Sequence, residues 1–237
     1  MKTLLVLLSV FSFSSFAAET TEFDSKDIND VEIEITSGNV TLTAVEGTKA
    51  TVVATKNKFD DKCRMKIEKQ GDTLVIDVEK VNTLSLDDCD VNFDVKVPKV
   101  VDIDITIGTG FLSVTGVKGD LEYTIGRGNV LANGTFEKLE GKTGSGDVAI
   151  KGLTGGGDVK MGSGKVDLTF ATADLKGSID LKTGAGDATL LFPKGTKIKT
   201  DFRAGTGDLT NELGDNPKAD FKVSMKSGTG DLSVKTY

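Results

Sequence analysis

Between residues 31 and 107, apolar and polar residues alternate with a period of two. Val31, Ile33 and Ile35 interleave with Glu32, Glu34 and Thr36, and Val40 and Leu42 resume the pattern after Ser37-Gly38-Asn39. Further runs occupy 50–56, 65–69 and 74–78, the last following the turn Gln70-Gly71-Asp72. Val91, Phe93, Val95 and Val97 lead to Pro98, and Val101, Ile103, Ile105 and Ile107 alternate with Asp102, Asp104 and Thr106. Successive side chains of a strand point to opposite faces, so this alternation predicts half-buried β-strands. No segment carries a convincing helical period. Residues 167–180 come nearest, and their Thr, Gly and Phe content argues against a helix.

Beyond residue 107 a longer regularity takes over. Gly-x-Gly recurs at Gly108-Thr109-Gly110, Gly126-Arg127-Gly128, Gly144-Ser145-Gly146, Gly162-Ser163-Gly164, Gly184-Ala185-Gly186, Gly205-Thr206-Gly207 and Gly228-Thr229-Gly230. The second glycines are 18, 18, 18, 22, 21 and 23 residues apart. Each copy but the first is followed by one polar residue and the start of an apolar-x-apolar strand, as in Asp147-Val148 and Asp187-Ala188; the first has Phe111-Leu112. A near-constant period of this length is the mark of a solenoid, whose short coils bury their apolar faces only by stacking. A β-sandwich or meander with Gly-rich hairpins shares the composition but has no need of the spacing. The pattern therefore predicts an all-β chain with an N-terminal β-strand region at 18–107 acting as a cap, and a Gly-x-Gly β-solenoid at 108–237. Stacking would line up Phe111, Asn129, Asp147, Lys165, Asp187, Asp208 and Asp231 along one edge. The last strand, 232–237, would end the stack, either blunted by Lys226 and Lys235 or self-associating with another chain through that C-terminal edge.

The first residues add a destination. Lys2 precedes an apolar run from Leu4 to Phe11, and Ser15 and Ala17 occupy the −3 and −1 positions of a cleavage site. This reads as a secretory signal peptide, residues 1–17, since the run is shorter than the ~20 residues of a membrane-spanning helix. The expectation is an exported protein, in the periplasm or at the cell surface, with no transmembrane segment after cleavage. Formal charge is −7, and becomes −8 once Lys2 is removed. Lysines fall one or two at a time along the chain, so no basic stripe is expected, and an acidic chain is a poor partner for nucleic acid.

Cys63 and Cys89 are the only cysteines. An oxidising compartment favours a disulfide between them, with two free thiols as the alternative. Histidine is absent, which removes the commonest general base and zinc ligand.

The segments Val31–Leu42, 70–78, Val95-Lys96-Val97-Pro98-Lys99, Ile107-Gly108-Thr109-Gly110, 116–121 and Thr143-Gly144-Ser145-Gly146-Asp147-Val148, in that order, resemble the bacterial putative-adhesin family of β-strand repeat proteins, a domain of unknown function. The resemblance covers most of the chain after the leader. It implies a right-handed single-chain β-helix or related solenoid in or beyond the cell envelope, and implies no catalytic residues. Phe111, Asn129, Lys165 and the cysteine pair depart from the family's commonest pattern.

Candidate chemistry is sparse. Asp187, Asp208 and Asp231 on the repeat edge, and Asp87, Asp88 and Asp90 near the cysteines, offer oxygen ligands for calcium. Against this, Asp after a glycine corner commonly bonds to its own backbone as a turn residue, and acidic loops are ordinarily solvated. No catalytic residue is identifiable: nucleophile elbow, phosphate loop and zinc-ligand spacing are all missing. The expected function is a non-catalytic adhesin-like interaction module engaging a protein or glycan at the envelope. The alternatives are a calcium- or glycan-binding protein using its acidic edges, and a polysaccharide-acting β-helix enzyme.

Overall fold

The computed structural model describes residues 18–81 and 89–237. The signal segment and the candidate ligands Asp87 and Asp88 lie outside the described residues. In chain order the strands are β1 (Ala18–Asp24), β2 (Asp30–Ser37), β3 (Val40–Ala44), β4 (Lys49–Lys58), β5 (Cys63–Gln70), β6 (Thr73–Lys80) and β7 (Asp90–Val97). Next come β8 (Asp102–Thr109), β9 (Leu112–Arg127), β10 (Val130–Ser145), β11 (Val148–Leu153), β12 (Gly157–Ser163) and β13 (Val166–Phe170). The last six are β14 (Gly177–Ala185), β15 (Ala188–Phe192), β16 (Lys199–Thr206), β17 (Leu209–Asn211), β18 (Phe221–Thr229) and β19 (Leu232–Thr236).

The chain is an all-β solenoid of stacked layers. A layer is one strand, a glycine corner, and a second strand on the opposite wall, so the first strands build one parallel sheet (wall A) and the second strands another (wall B). The 16-residue β9 and β10 each serve two layers, ending one in wall B and beginning the next in wall A. Wall A stacks as β6, β2, β8, β9, β10, β12, β14, β18, β16. Wall B stacks as β7, β3, β9, β10, β11, β13, β15, β19, β17.

Stacking order departs from chain order at both ends. The β2–β3 layer is inserted between β6–β7 and β8–β9, and the last layer, β18–β19, is inserted beneath β16–β17. The C-terminal strand is thus not the edge anticipated from its place in the sequence. β19 is hydrogen-bonded on one side by β15 and on the other by β17, and pairing through it, or blunting by Lys226 and Lys235, has no edge to act on. The compositional boundary at residue 107 falls inside β8, which pairs with β2 and β9 as one continuous sheet.

Antiparallel strands close one end: β5 lies on β6, and β4 and then β1 lie on β7. At the other end Phe202 and Leu213 pack against the core. Asp215 Oδ1 accepts the Thr200 N–H at 2.7 Å and the Thr200 hydroxyl at 2.9 Å, and the Asn216 N–H donates to the Ile198 carbonyl at 2.8 Å. These contacts occupy part of the outer edge of β16, which would otherwise template further pairing.

The predicted columns form the core. Val130, Val148, Val166, Ala188 and Leu232 stand in register and are buried, each Val or Leu worth ~1.5–3 kcal/mol of burial. Phe170 and Phe192 stack with centroids 4.3 Å apart. Tyr123 is fully buried because the facing residue one layer on is Gly141, where a Cβ would lie 2.4 Å from the Tyr123 ring.

Candidate interaction surface

The glycine corners are fixed by backbone crowding. At the second glycine of each motif φ is positive, +142° at Gly128, and a Cβ there would sit 1.7 Å from the Gly110 carbonyl oxygen. At the first glycine a Cβ would strike the preceding layer as well: 2.3 Å from the Gly126 oxygen at Gly144, 2.3 Å from the Gly144 oxygen at Gly162. The residue after the motif has a task of its own. The Asp147 N–H donates to Asn129 Oδ1 at 2.8 Å, and the Lys165 N–H to Asp147 Oδ1 at 2.9 Å. The Asp231 N–H donates to Asp187 Oδ1 at 3.0 Å, and the Asp208 N–H to Asp231 Oδ1 at 2.8 Å. A first run joins Asn92, Asn39 and Phe111 in the same manner. The ladder breaks at Phe111 and Lys165, whose side chains offer no acceptor.

Asp187, Asp231 and Asp208 therefore do stack on one edge, in that order, and those with a further layer to cap engage one oxygen with its backbone. Asp90 lies elsewhere, receiving the Asn57 side-chain amide at 2.8 Å beside the Cys63–Cys89 disulfide, whose Cα atoms are 5.8 Å apart. Among the described residues no group of three or more acidic, His or Cys side chains is placed to hold a metal ion.

The outer face of wall A carries a feature that counting along the chain missed. Four residues before each first glycine, Glu32, Asp104, Glu122, Glu140, Asp158 and Asp180 stand opposite one another in consecutive layers, Glu32 occupying the matching position of β2. Ser224 interrupts this column before Asp201. Two residues before the first glycine of the last five motifs, Lys142, Lys160, Lys182, Lys226 and Arg203 form a second column, one cation in each of those layers. The expectation of no basic stripe is overturned, because residues scattered in sequence at the repeat period fall into line when the layers stack. The signal was present as a constant offset from the glycines. Wall B presents a different outer face, with Thr41, Ser113, Thr189, Ser233 and Thr210 among its outward positions.

Residues 15–236 match the Toastrack DUF4097 family. The chain belongs to that family. The chain is also similar, at low identity, to solved structures. A "putative lipid binding protein" from Parabacteroides distasonis is 14% identical, with 93% of this chain and 96% of the other covered and a TM-score of 0.50. A "putative adhesin" from Bacteroides fragilis is 16% identical over 94% and 98% of the two chains, with a TM-score of 0.48. A "putative cell adhesion protein" from Clostridium sporogenes is 16% identical over 93% and 99%, with a TM-score of 0.43. No curated protein sequence matches this chain.

Within this Toastrack chain the wall A columns have two electrostatic regimes. Toward the β2 end, carboxylates lie beside Glu34, Thr106 and Thr124 rather than cations. There burial, and then the Glu32 charge, hold the Asp104 carboxyl above the usual range, with Lys142 opposing. Burial and then the Asp102 and Asp72 charges do the same to Asp30. In the cation-bearing half, the hydrogen bond from Lys138 Nζ, 2.5 Å from Glu140 Oε1, lowers the Glu140 carboxyl. The Lys222 bond at 3.3 Å, and then Arg203 at 3.2 Å, lower Asp201. Among the described residues, Lys142, Lys160, Lys182 and Lys226 have no carboxylate within 4.0 Å. A groove of about 680 Å³ runs along this column, lined by Lys142, Lys160 and Lys182 on one side and Gly126, Gly144, Gly162 and Gly184 on the other.

Proposed function

We propose that this chain is an exported, non-catalytic interaction module of the cell envelope or surface, adhesin-like in presenting a rigid patterned face to a protein or glycan. The observation that carries this reading is the outer face of wall A. Its side chains are set in register by the backbone ladder, one set per layer, in open columns. Such a face suits recognition of an extended partner by many weak, aligned contacts. Support for export comes from the leader, with Lys2, the apolar run and the Ser15/Ala17 cleavage pattern. The Cys63–Cys89 bond fits an oxidising compartment, and would be expected to be reduced in most cytosols. The absence of histidine and the openness of the grooves favour binding over catalysis.

Fractionation of producing cells, with N-terminal sequencing and thiol counting, tests the reading. Recovery from periplasm, outer membrane or medium, beginning at Ala18 with no free thiol, is expected. An uncleaved, dithiol protein confined to the cytosol would contradict it.

A further inference from the structure

We infer that the lysine column of wall A is a binding track for a single linear polyanion of the acidic-polysaccharide class, one carboxylated sugar per layer; this rests on the interaction-module reading above. Four features of the molecule converge on it. First, Lys142, Lys160, Lys182, Lys226 and Arg203 repeat at the layer spacing, so four steps span roughly 19 Å. Like charges directly opposite on neighbouring strands repel one another, a cost that an anionic ligand relieves. Second, the four lysines have no carboxylate within 4.0 Å among the described residues, and Lys142 and Lys160 act on Glu140 only from beyond contact distance.

Third, the neighbouring column on the far side of the lysines is glycine. Gly126, Gly144, Gly162 and Gly184 put no side chain into the groove, which leaves a strip of backbone against which a flat ring can lie. Fourth, the column on the near side is acidic. Glu140, Asp158 and Asp180 sit two residues from the lysines on the same strands, roughly 7 Å away. That acidic margin limits the ligand's width. An anionic bilayer laid on this face, or a duplex with phosphates on two strands, would press negative charge onto those carboxylates. A single chain confined between the acidic and glycine columns would not. A linear polyuronate passes about one sugar per layer, and because successive rings turn about the chain axis, the carboxylates that face the lysines recur every second or third layer. Duplex DNA carries one charge per ~1.7 Å of axis, far denser than one lysine per layer.

The test uses the disulfide-bonded chain from Ala18 to Tyr237 and polygalacturonate fragments, followed by titration calorimetry at low and physiological salt. The proposal expects saturable binding that weakens as salt rises. It also expects the double variant Lys160→Glu/Lys182→Glu to lose about tenfold or more in affinity, the size expected when charge pairs are reversed. The conservative pair Lys160→Arg/Lys182→Arg should retain binding, and the opposite-wall control Lys151→Glu/Lys235→Glu should leave it unchanged. Circular dichroism melts confirm that each variant is folded.

No binding at low salt, equal binding to neutral dextran, or equal loss in the wall B control would overturn the proposal. So would tighter binding to oligothymidylate or to phosphatidylglycerol vesicles than to the uronate. Failure here leaves the interaction-module reading standing if the chain is still recovered from the envelope, whereas cytosolic recovery defeats that reading whatever the calorimeter shows.

Discussion

The corner and the outer face of wall A descend from the same repeat and obey different constraints. At the corner, Gly128 and its equivalents are fixed because a Cβ would collide with the carbonyl of the preceding layer. Six residues earlier, the positions of Glu122, Glu140 and Asp158 face outward, where nothing in the backbone dictates identity. Yet those free positions carry one charge sign per column over consecutive layers. The corner explains why the repeat exists, and the face is where the repeat is put to use. A motif read only for its most regular residues leads to the scaffold rather than to the surface that meets a partner.

The largest test of this contrast is Gly128→Ala. It adds a Cβ at positive φ and 1.7 Å from a carbonyl, so stability should fall by more than about 4 kcal/mol, or folding should fail, in denaturant melts. Charge changes such as Lys160→Glu/Lys182→Glu should stay within about 0.5 kcal/mol per site by the same measurement. A corner variant as mild as a face variant would erase the distinction.

Removing the Cys63–Cys89 bond by a Cys→Ser pair should cost about 3–4 kcal/mol on the chain-entropy estimate. The loss should appear as earlier melting of the β5–β7 end, resolved by hydrogen exchange. Uniform loss along the whole stack would place that end within a single cooperative unit.

The side-chain ladder at the corner is a milder device. Asn129→Ala removes the acceptor for the Asp147 N–H and should cost about 1 kcal/mol. Lys165→Asn supplies an acceptor where the ladder breaks, facing the Asp187 N–H, and should be neutral or stabilising by up to about 1 kcal/mol. A destabilising Lys165→Asn would mean that the break is itself selected by packing.

The smallest effects separate the two halves of the face through pH. Asp104 has a raised carboxyl, so its penalty is present above its folded pKa and relieved as pH falls from there toward the ordinary Asp value. Asp104→Asn should therefore be neutral or mildly stabilising at pH 7. Glu140 is lowered, so its contribution is present above the ordinary Glu value and lost as pH falls through the folded one. Glu140→Gln should be mildly destabilising at pH 7, and indistinguishable from the parent in acid. Melts of both variants from pH 3 to 7 check the opposite signs.

Much of this architecture was legible in the sequence. The period of two found the early strands, since one face of each is buried, and the Gly-x-Gly spacing counted the later layers. The corner position of Asp147 and Asp187 was legible, but the expected bond of each Asp to its own backbone is replaced by one to the N–H of the next layer. Layer order was not legible. The apolar residues that stack are interchangeable: Ala188 meets Leu232 in the structure, and Leu209 would have served the same column. A repeat period fixes how many layers form without fixing which adjoin. The lysine column escaped because charge was surveyed along the chain, where Lys142, Lys160 and Lys182 are far apart. Folding the sequence at its own period, with the glycines as origin, brings them together.

Engineered cross-linking tests layer order and column register together. Lys182 and Lys226 are 44 residues apart and opposite one another, Arg203 lies opposite Lys226, and Lys182 and Arg203 are two layers apart. Disulfides need Cα atoms within about 7 Å, met by adjacent strands and exceeded by a two-layer gap. Lys182→Cys/Lys226→Cys and Arg203→Cys/Lys226→Cys should oxidise to intramolecular bonds, and Lys182→Cys/Arg203→Cys should not. Ready closure of the 182–203 pair with no bond at 182–226 would restore sequential stacking and put Arg203, in place of Lys226, next to Lys182 in the column.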